Sequence, residues 1–192
     1  MVTGHFGLAA GVKAYERFVP LWALMLATVW LDVIFIVTYA AGAETIDDAP
    51  GTNGGYGDVV IHADYTHSLV GAAVIALVTG WIVTRWWGRR GGIVIGAVVF
   101  SHWILDLIVH RHDMPIFPGN VGDIRVGFGL WKVHWAAILA EAALIAVGAF
   151  LYWRAATEVE RAANARPRRA NLMAVLIVLC GAAVLAVDVL IG

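Results

Sequence analysis

The sequence is short of everything a water-soluble domain keeps at its surface. Of its 192 residues only 14% are charged and 61% are apolar, with a mean hydropathy of +0.80. A soluble domain carries about 25% charged and 45–50% apolar residues. The shortage excludes a free-standing soluble globule and makes lipid the solvent. Cysteine is almost missing: Cys180, inside an apolar run, is the only one, which excludes an intramolecular disulfide and any zinc site built on thiolates. A basic excess is missing too. Thirteen Lys and Arg face fourteen Asp and Glu, net −1, which leaves no field to hold a nucleic acid. Strand-like alternation is nearly absent and argues against a β-barrel. No basic stretch leads the first apolar residues and no small-residue cleavage site follows, so no cleavable signal peptide is expected.

What the chain has is long apolar runs. Five reach the ~20 residues that a bilayer requires: Pro20–Ala41, His62–Trp86, Gly92–His110, Leu130–Trp153 and Ala170–Ile191. A shorter stretch, Val2–Ala14, covers only about 20 Å as a helix. It is rich in small residues (Gly4, Gly7, Ala9, Ala10, Gly11, Ala14), which permit close helix approach in a membrane. The expected fold is all-α: one polytopic transmembrane bundle over residues 1–192, with five full spans and an N-terminal half-helix that carries His5 into the bundle.

Basic residues set the expected orientation. Ten of the thirteen fall in alternate connections: Lys13 and Arg17; Arg85, Arg89 and Arg90; and Arg154, Arg161, Arg166, Arg168 and Arg169. The remaining connections hold Arg111, Arg125 and Lys132, and the first of them, Gly42–Ile61, is acidic and Gly-rich. The basic loops are therefore expected in the cytoplasm, across a prokaryotic inner membrane, and the loops Gly42–Ile61 and Arg111–Gly129 outside. Trp22, Trp86, Trp87 and Trp153 then mark the inner interface, and Trp131 and Trp135 the outer one. Arg154–Asn171 reads as a solvated helical linker.

Against this apolar ground the ionisable residues stand out. A carboxylate at mid-membrane costs roughly 2.5–3.5 kcal/mol on insertion scales. Yet Asp32, Asp64, His67, His102, Asp106, His134 and Glu141 all fall within the spans, with His62 and His110 at span ends and His5 in the short stretch. Counting residues from the cytoplasmic ends puts Asp32, His67, His102, Asp106 and Glu141 in or near one layer, at or above mid-membrane. His102 and Asp106 share a helical face at i, i+4, and His110 continues it. Asp64 and His67, at i, i+3, would share another if helical. Taken singly, an intramembrane His or Asp is more often a helix–helix hydrogen-bond partner. His and carboxylates converging from several helices instead match bundle-core metal sites. Imidazole with carboxylate suits zinc, manganese or iron.

Three segments carry a resemblance. Gly4-His5, His62-Ala63-Asp64-Tyr65-Thr66-His67-Ser68-Leu69 and Ser101-His102-Trp103-Ile104-Leu105-Asp106 are similar, in that order, to motifs of the membrane-bound metal-dependent hydrolases, the YdjM-like inner-membrane proteins of bacteria and archaea. Met114-Pro115-Ile116-Phe117-Pro118 resembles the segment that follows the second motif, and Asp32 falls where the family has its P-D-x-D. The resemblance covers about the first 120 residues. Two departures are visible: Ala63 stands in place of an Arg, and Leu31 where the Pro of P-D-x-D would stand. The family is thought to be distantly related to zinc-dependent phospholipase C and P1-type nucleases, so the resemblance implies hydrolysis of a phosphoester.

The expected function is therefore a metal-dependent hydrolase acting on a phosphoester or lipid head group at the outer leaflet. Its expected ligands to one or more divalent ions, zinc foremost, are His5, Asp32, His62, His67, His102 and Asp106. Asp64, His110 and Glu141 are the candidates for acid–base work or for orienting the ligands. Arg111, Arg125 and Lys132, the only outer-side cations, are the candidates for an anionic membrane lipid or lipid-linked substrate. His112 and Asp113 read as solvated loop residues. A metal-ion or proton transporter would use the same polar core. So would an accessory subunit whose histidines bind a cofactor such as haem or chlorophyll. The composition is compatible with a homo-oligomer.

Overall fold

A helix too short to cross a bilayer lies at the centre of the molecule. In the computed structural model, which describes residues 2–52 and 56–191, α1 (Val2–Tyr15) runs against α5 (His134–Ala162), with α2 (Leu21–Thr28) and α6 (Arg168–Ile191) on its other sides. Thr3, His5, Ala9 and Ala10 are fully buried. Glycine makes this possible. A Cβ on Gly7 would overlap the backbone of Leu144 and lie 2.7 Å from the Ile145 nitrogen, and one on Gly148 would sit 2.9 Å from the Gly7 Cα. The two backbones touch, as small residues allow in lipid.

The run Pro20–Ala41 is two helices. α2 ends at Thr28, α3 (Trp30–Ala40) begins two residues on, and their axes diverge by 48°. No proline or glycine stands at the break, and Val29 takes φ −112°, ψ 15°. The Thr28 carbonyl is thereby free to accept a bond from outside its helix.

α4 (Leu69–Val109) is continuous only in chain order. Trp87 and Gly88 leave helical geometry, Gly88 at φ 64°, and residues 69–86 and 89–109 fold back antiparallel on each other. Their contact is again glycine: a Cβ on Gly80 would lie 2.7 Å from the Gly92 carbonyl oxygen, and one on Gly96 3.0 Å from that of Ala76. Glu16, buried after α1, accepts from Phe18 N–H at 2.7 Å and from Arg90 Nε at 2.9 Å, which ties the α1–α2 connection to the hairpin's turn.

The molecule is mostly helical, as expected, and two short antiparallel pairs join the helices. β1 (Thr45–Asp48) pairs with β2 (Val59–His62), Thr45 opposite His62. β3 (Met114–Pro115) pairs with β4 (Arg125–Val126). The expected helix start at His62 is therefore corrected. His62 ends a strand, residues 63–68 are irregular, and Ser68 caps α4 by accepting from Gly71 N–H at 3.1 Å. Asp64 and His67 share no helical face. The linker expected at Arg154–Asn171 is largely consumed by α5, which runs to Ala162, and by α6, which begins at Arg168. Among the described residues three helices, α4, α5 and α6, are long and apolar enough to cross a membrane, and the bent pair α2–α3 makes a fourth crossing if it is one span.

Candidate metal centre

Four segments deliver six ionisable side chains to one point. α1 brings His5. The bend at Val29 turns Asp32 inward at the start of α3. The irregular stretch before α4 brings His67. The second arm of α4 stacks His102 and Asp106 at i and i+4, and its C-cap His110 continues the face read from their spacing. The half-helix goes where its small residues predicted: the rings of His5 and His102 are 4.0 Å apart.

The core of the cluster is Asp32 Oδ1, His67 Nε2, His102 Nε2 and Asp106 Oδ2. His102 Nε2 lies 3.0 Å from Asp106 Oδ2, 3.3 Å from Asp32 Oδ1 and 3.2 Å from His67 Nε2. His67 Nε2 lies 3.4 Å from Asp32 Oδ1 and 3.7 Å from Asp106 Oδ2. A tetrahedral ion bound at the 2.0–2.2 Å usual for zinc needs ligand–ligand separations of about 3.3–3.6 Å. The separations on either side of His102 are close to such edges, and the donors form two triads that share it: Asp32, His67 and His102, and His5, His102 and Asp106, each with ligand atoms within 4.8 Å of one another.

The opposite edges of the imidazoles say which nitrogens are bare. His102 Nδ1 donates to the Thr28 carbonyl at 2.6 Å, the one released by the helix break. His67 Nδ1 lies 2.9 Å from Thr66 Oγ1, and that hydroxyl lies 3.0 Å from both oxygens of Glu44. His110 Nδ1 donates to Asp113 Oδ1 at 3.1 Å, and Asp113 Oδ2 accepts from Ile61 N–H at 3.2 Å. With Nδ1 protonated, Nε2 presents a lone pair. The cluster is then a nest of acceptors, nitrogen against nitrogen and carboxylate. Only a proton or a cation between them makes such a set stable. The residues fit a divalent ion.

Two further histidines flank the four. His5 Nε2 is 3.5 Å from Asp106 Oδ1, a buried oxygen that accepts no hydrogen bond, and 3.4 Å from the His102 carbonyl oxygen. His110 Nε2 is 3.7 Å from Asp106 Oδ2, its ring against Trp131 with centroids 4.5 Å apart. Among the six, Asp32 alone has a substantially exposed side chain, at 35%, against 5% or less for the others. The cluster is therefore closed on every side but that of α3.

The remaining expected site residues are elsewhere. His62 faces Asp47 across the β1–β2 pair at 3.2 Å. The Asp64 carbonyl accepts from Gly119 N–H at 2.9 Å, away from the cluster's donors. Glu141 is fully buried. It accepts from Gly4 N–H at 3.3 Å, in the first turn of α1, and from the Tyr56 hydroxyl at 2.7 Å. Burial, and then the Glu141 carboxylate, hold the Tyr56 phenol proton well above its ordinary pKa, so the phenol stays the donor. His134, on the same helix as Glu141, is exposed and lies 3.3 Å from Asp58 Oδ1. Arg111 is committed to the same Asp58 at 2.7 Å and to the Gly57 carbonyl at 3.0 Å. Arg125 Nε is 3.8 Å from Asp123, and Lys132 is exposed in the turn Leu130–Lys132.

Sequence reasoning missed two acids. Asp113 is buried against His110 rather than solvated. Glu44, one of several acids in a Gly-rich loop, is 1% exposed. The available signal for Asp113 was its i, i+3 spacing from His110. For Glu44 nothing in the sequence distinguished it from Asp47 or Asp48. No protein-family model, no curated protein and no solved structure matches the chain.

Proposed function

We propose that the protein is a membrane-embedded metal-dependent hydrolase acting on a phosphoester of a lipid or lipid-linked substrate at the outer leaflet. The observation that carries the reading is the pair of His/Asp triads that share His102, with the Nδ1 edges of His67 and His102 turned away to Thr66 and the Thr28 carbonyl. Asp32, His67, His102 and Asp106 would hold the ion, with His5 and His110 beside them. A divalent ion there supplies a Lewis acid and lowers the pKa of a water. Zinc suits the donors and the spacing, and manganese or iron, favouring six positions, would leave two open. Asp32, the exposed member, stands where a substrate enters. His110, oriented by Asp113, is the nearest group able to move a proton at the cluster's outer edge. The resemblance in the segments around His5, His67 and His102–Asp106 agrees with this chemistry.

Counting the two arms of α4 separately gives five crossings, with the bent α2–α3 as the first. The distribution of Lys and Arg then orients the basic connections to the cytoplasm of a prokaryotic inner membrane and the β1–β2 pair outward. The core on the cytoplasmic side of the cluster is Val19, Ala23, Leu24, Ala27, Ile95, Val98 and Val99. That apolar plug disfavours a transport path.

Protein purified without chelator is expected to retain a divalent ion and to cleave a phosphodiester-headed lipid. His102→Ala and Asp106→Ala should each lower metal affinity by 10–100-fold or more and abolish cleavage. Equal metal content in the wild type and both variants would overturn the assignment.

A further inference from the structure

The segment that presents His67 has no secondary structure of its own. Residues 63–68 lie between β2 and α4, so their backbone N–H groups need other acceptors. Glu44 provides them. Its Oε1 accepts from Tyr65 N–H and Thr66 N–H, both at 2.8 Å, and its carboxylate accepts from the hydroxyls of Thr66 and Thr38. Among the described residues the carboxylate forms no ion pair, so it is held by the two N–H groups and the Thr66 hydroxyl, with the Thr38 hydroxyl shared between it and the Phe35 carbonyl.

The clamp also fixes a proton. Glu44 Oε1 already accepts from two backbone N–H groups, so the Thr66 hydroxyl, 3.0 Å from each oxygen of the carboxylate, donates to it. The Thr66 oxygen must then accept from His67, 2.9 Å away. That puts the imidazole proton on Nδ1 and leaves Nε2 bare toward Asp32, His102 and Asp106. Glu44 lies 23 residues from His67 in sequence, immediately before β1, at the end of the strand pair where Thr45 meets His62.

We propose that Glu44 is a positioning residue for the metal centre: through the Thr66 hydroxyl it sets the tautomer and direction of His67. The inference rests on the metal-site reading above. In Glu44→Gln the amide nitrogen replaces one acceptor with a donor, so Thr66 Oγ1 is bonded from the other side and its own proton becomes free to turn to His67. In Thr66→Val the relay is cut with little change of shape.

The test is metal affinity together with the imidazole tautomer, read by nitrogen chemical shifts of ¹⁵N-histidine protein in detergent. Both variants are expected to bind zinc 10–100-fold more weakly, the usual effect of losing a ligand's orienting partner. Thr66→Ser is expected to restore wild-type affinity. In the metal-free wild type His67 should carry its proton on Nδ1, and in both variants that preference should be lost. Wild-type zinc affinity and an unchanged tautomer in Glu44→Gln and Thr66→Val would overturn the proposal, even if both variants melt at lower temperature, because Glu44 would then be only a loop clamp. If the wild type binds no metal, the hydrolase reading fails separately, and the tautomer of metal-free His67 still decides the role of Glu44.

Discussion

Helices α1 and α6 are both apolar, and they have opposite fates. α6 is 23–24 residues long, with a mean hydropathy of 2.7 over its best window. Its large side chains, Leu172, Val175, Leu176, Leu179 and Leu190 among them, are exposed. α1 has only 14 residues, carries a histidine and a threonine, and is largely buried from Thr3 to Ala10. In water the more hydrophobic helix would be the one inside. In lipid that drive vanishes, because an exposed leucine already sits among hydrocarbon. What draws a helix inward is backbone contact through small residues and polar groups that need partners. α1 has both: Gly7 against α5, the Gly4 N–H on Glu141, and the Thr3 hydroxyl on the Gly181 carbonyl at 3.1 Å.

The sharpest way to break this difference is to add volume where α1 and α5 touch. Gly148→Val would drive its side chain into the Gly7 backbone, which cannot swing aside. Overpacking typically costs about 1–3 kcal/mol and more when backbone must move. The expected loss is at the top of that range or beyond. Because α1 carries His5 to the cluster, His5 should leave it at the same time. Thermal unfolding in detergent, with and without zinc, checks both. A melting curve unchanged from wild type would mean that the α1–α5 contact does not exist in the folded protein.

The same contrast explains what could be read from the sequence. Hydropathy finds segments that can sit in lipid, so the apolar runs behind α2–α6 were visible, as was the small-residue character that took α1 inside. The i, i+4 spacing of His102 and Asp106 was visible because both lie mid-helix, where periodicity holds. His67 is legible from its depth in the polar layer, but the helical face it would share with Asp64 does not exist, because Ser68 is an N-cap and the helix starts after it. The bend at Val29 has no glycine or proline to announce it. It is imposed by tertiary packing and by the use His102 makes of the Thr28 carbonyl. Glu44 and Asp113 were hidden for a different reason. Loop acids look solvated in a sequence, and only the fold turns them toward histidines.

A smaller effect is expected where α6 meets the bundle. A Cβ on Gly181 would lie 2.6 Å from Ile145 Cγ1 and 3.5 Å from Thr3 Cγ2. Here the obstacle is a side chain, Ile145, rather than backbone. Gly181→Val should therefore cost less than Gly148→Val, on the order of 1 kcal/mol, and should leave zinc binding intact. A cost equal to that of Gly148→Val would mean that α6 is held as rigidly as α1.

The smallest effect is expected two residues away. Leu179, on the same helix as Gly181, is 60% exposed. In a soluble protein's core, Leu→Ala costs about 2–5 kcal/mol, from lost transfer energy and the cavity left behind. Neither contribution applies on the lipid face. The side chain touches hydrocarbon in the folded and in the separated helix, and lipid fills whatever space the truncation opens. What remains is helix propensity, which alanine improves slightly over leucine. Leu179→Ala should thus fall within about 0.5 kcal/mol of wild type, the range of surface substitutions away from special features. The check is unfolding of the variant in bilayers or bicelles, where acyl chains rather than water surround α6. A loss of about 2 kcal/mol or more would show that this face of α6 is covered in the membrane, by another protein surface, and that α6 is an interface helix rather than the lipid-facing edge of the bundle.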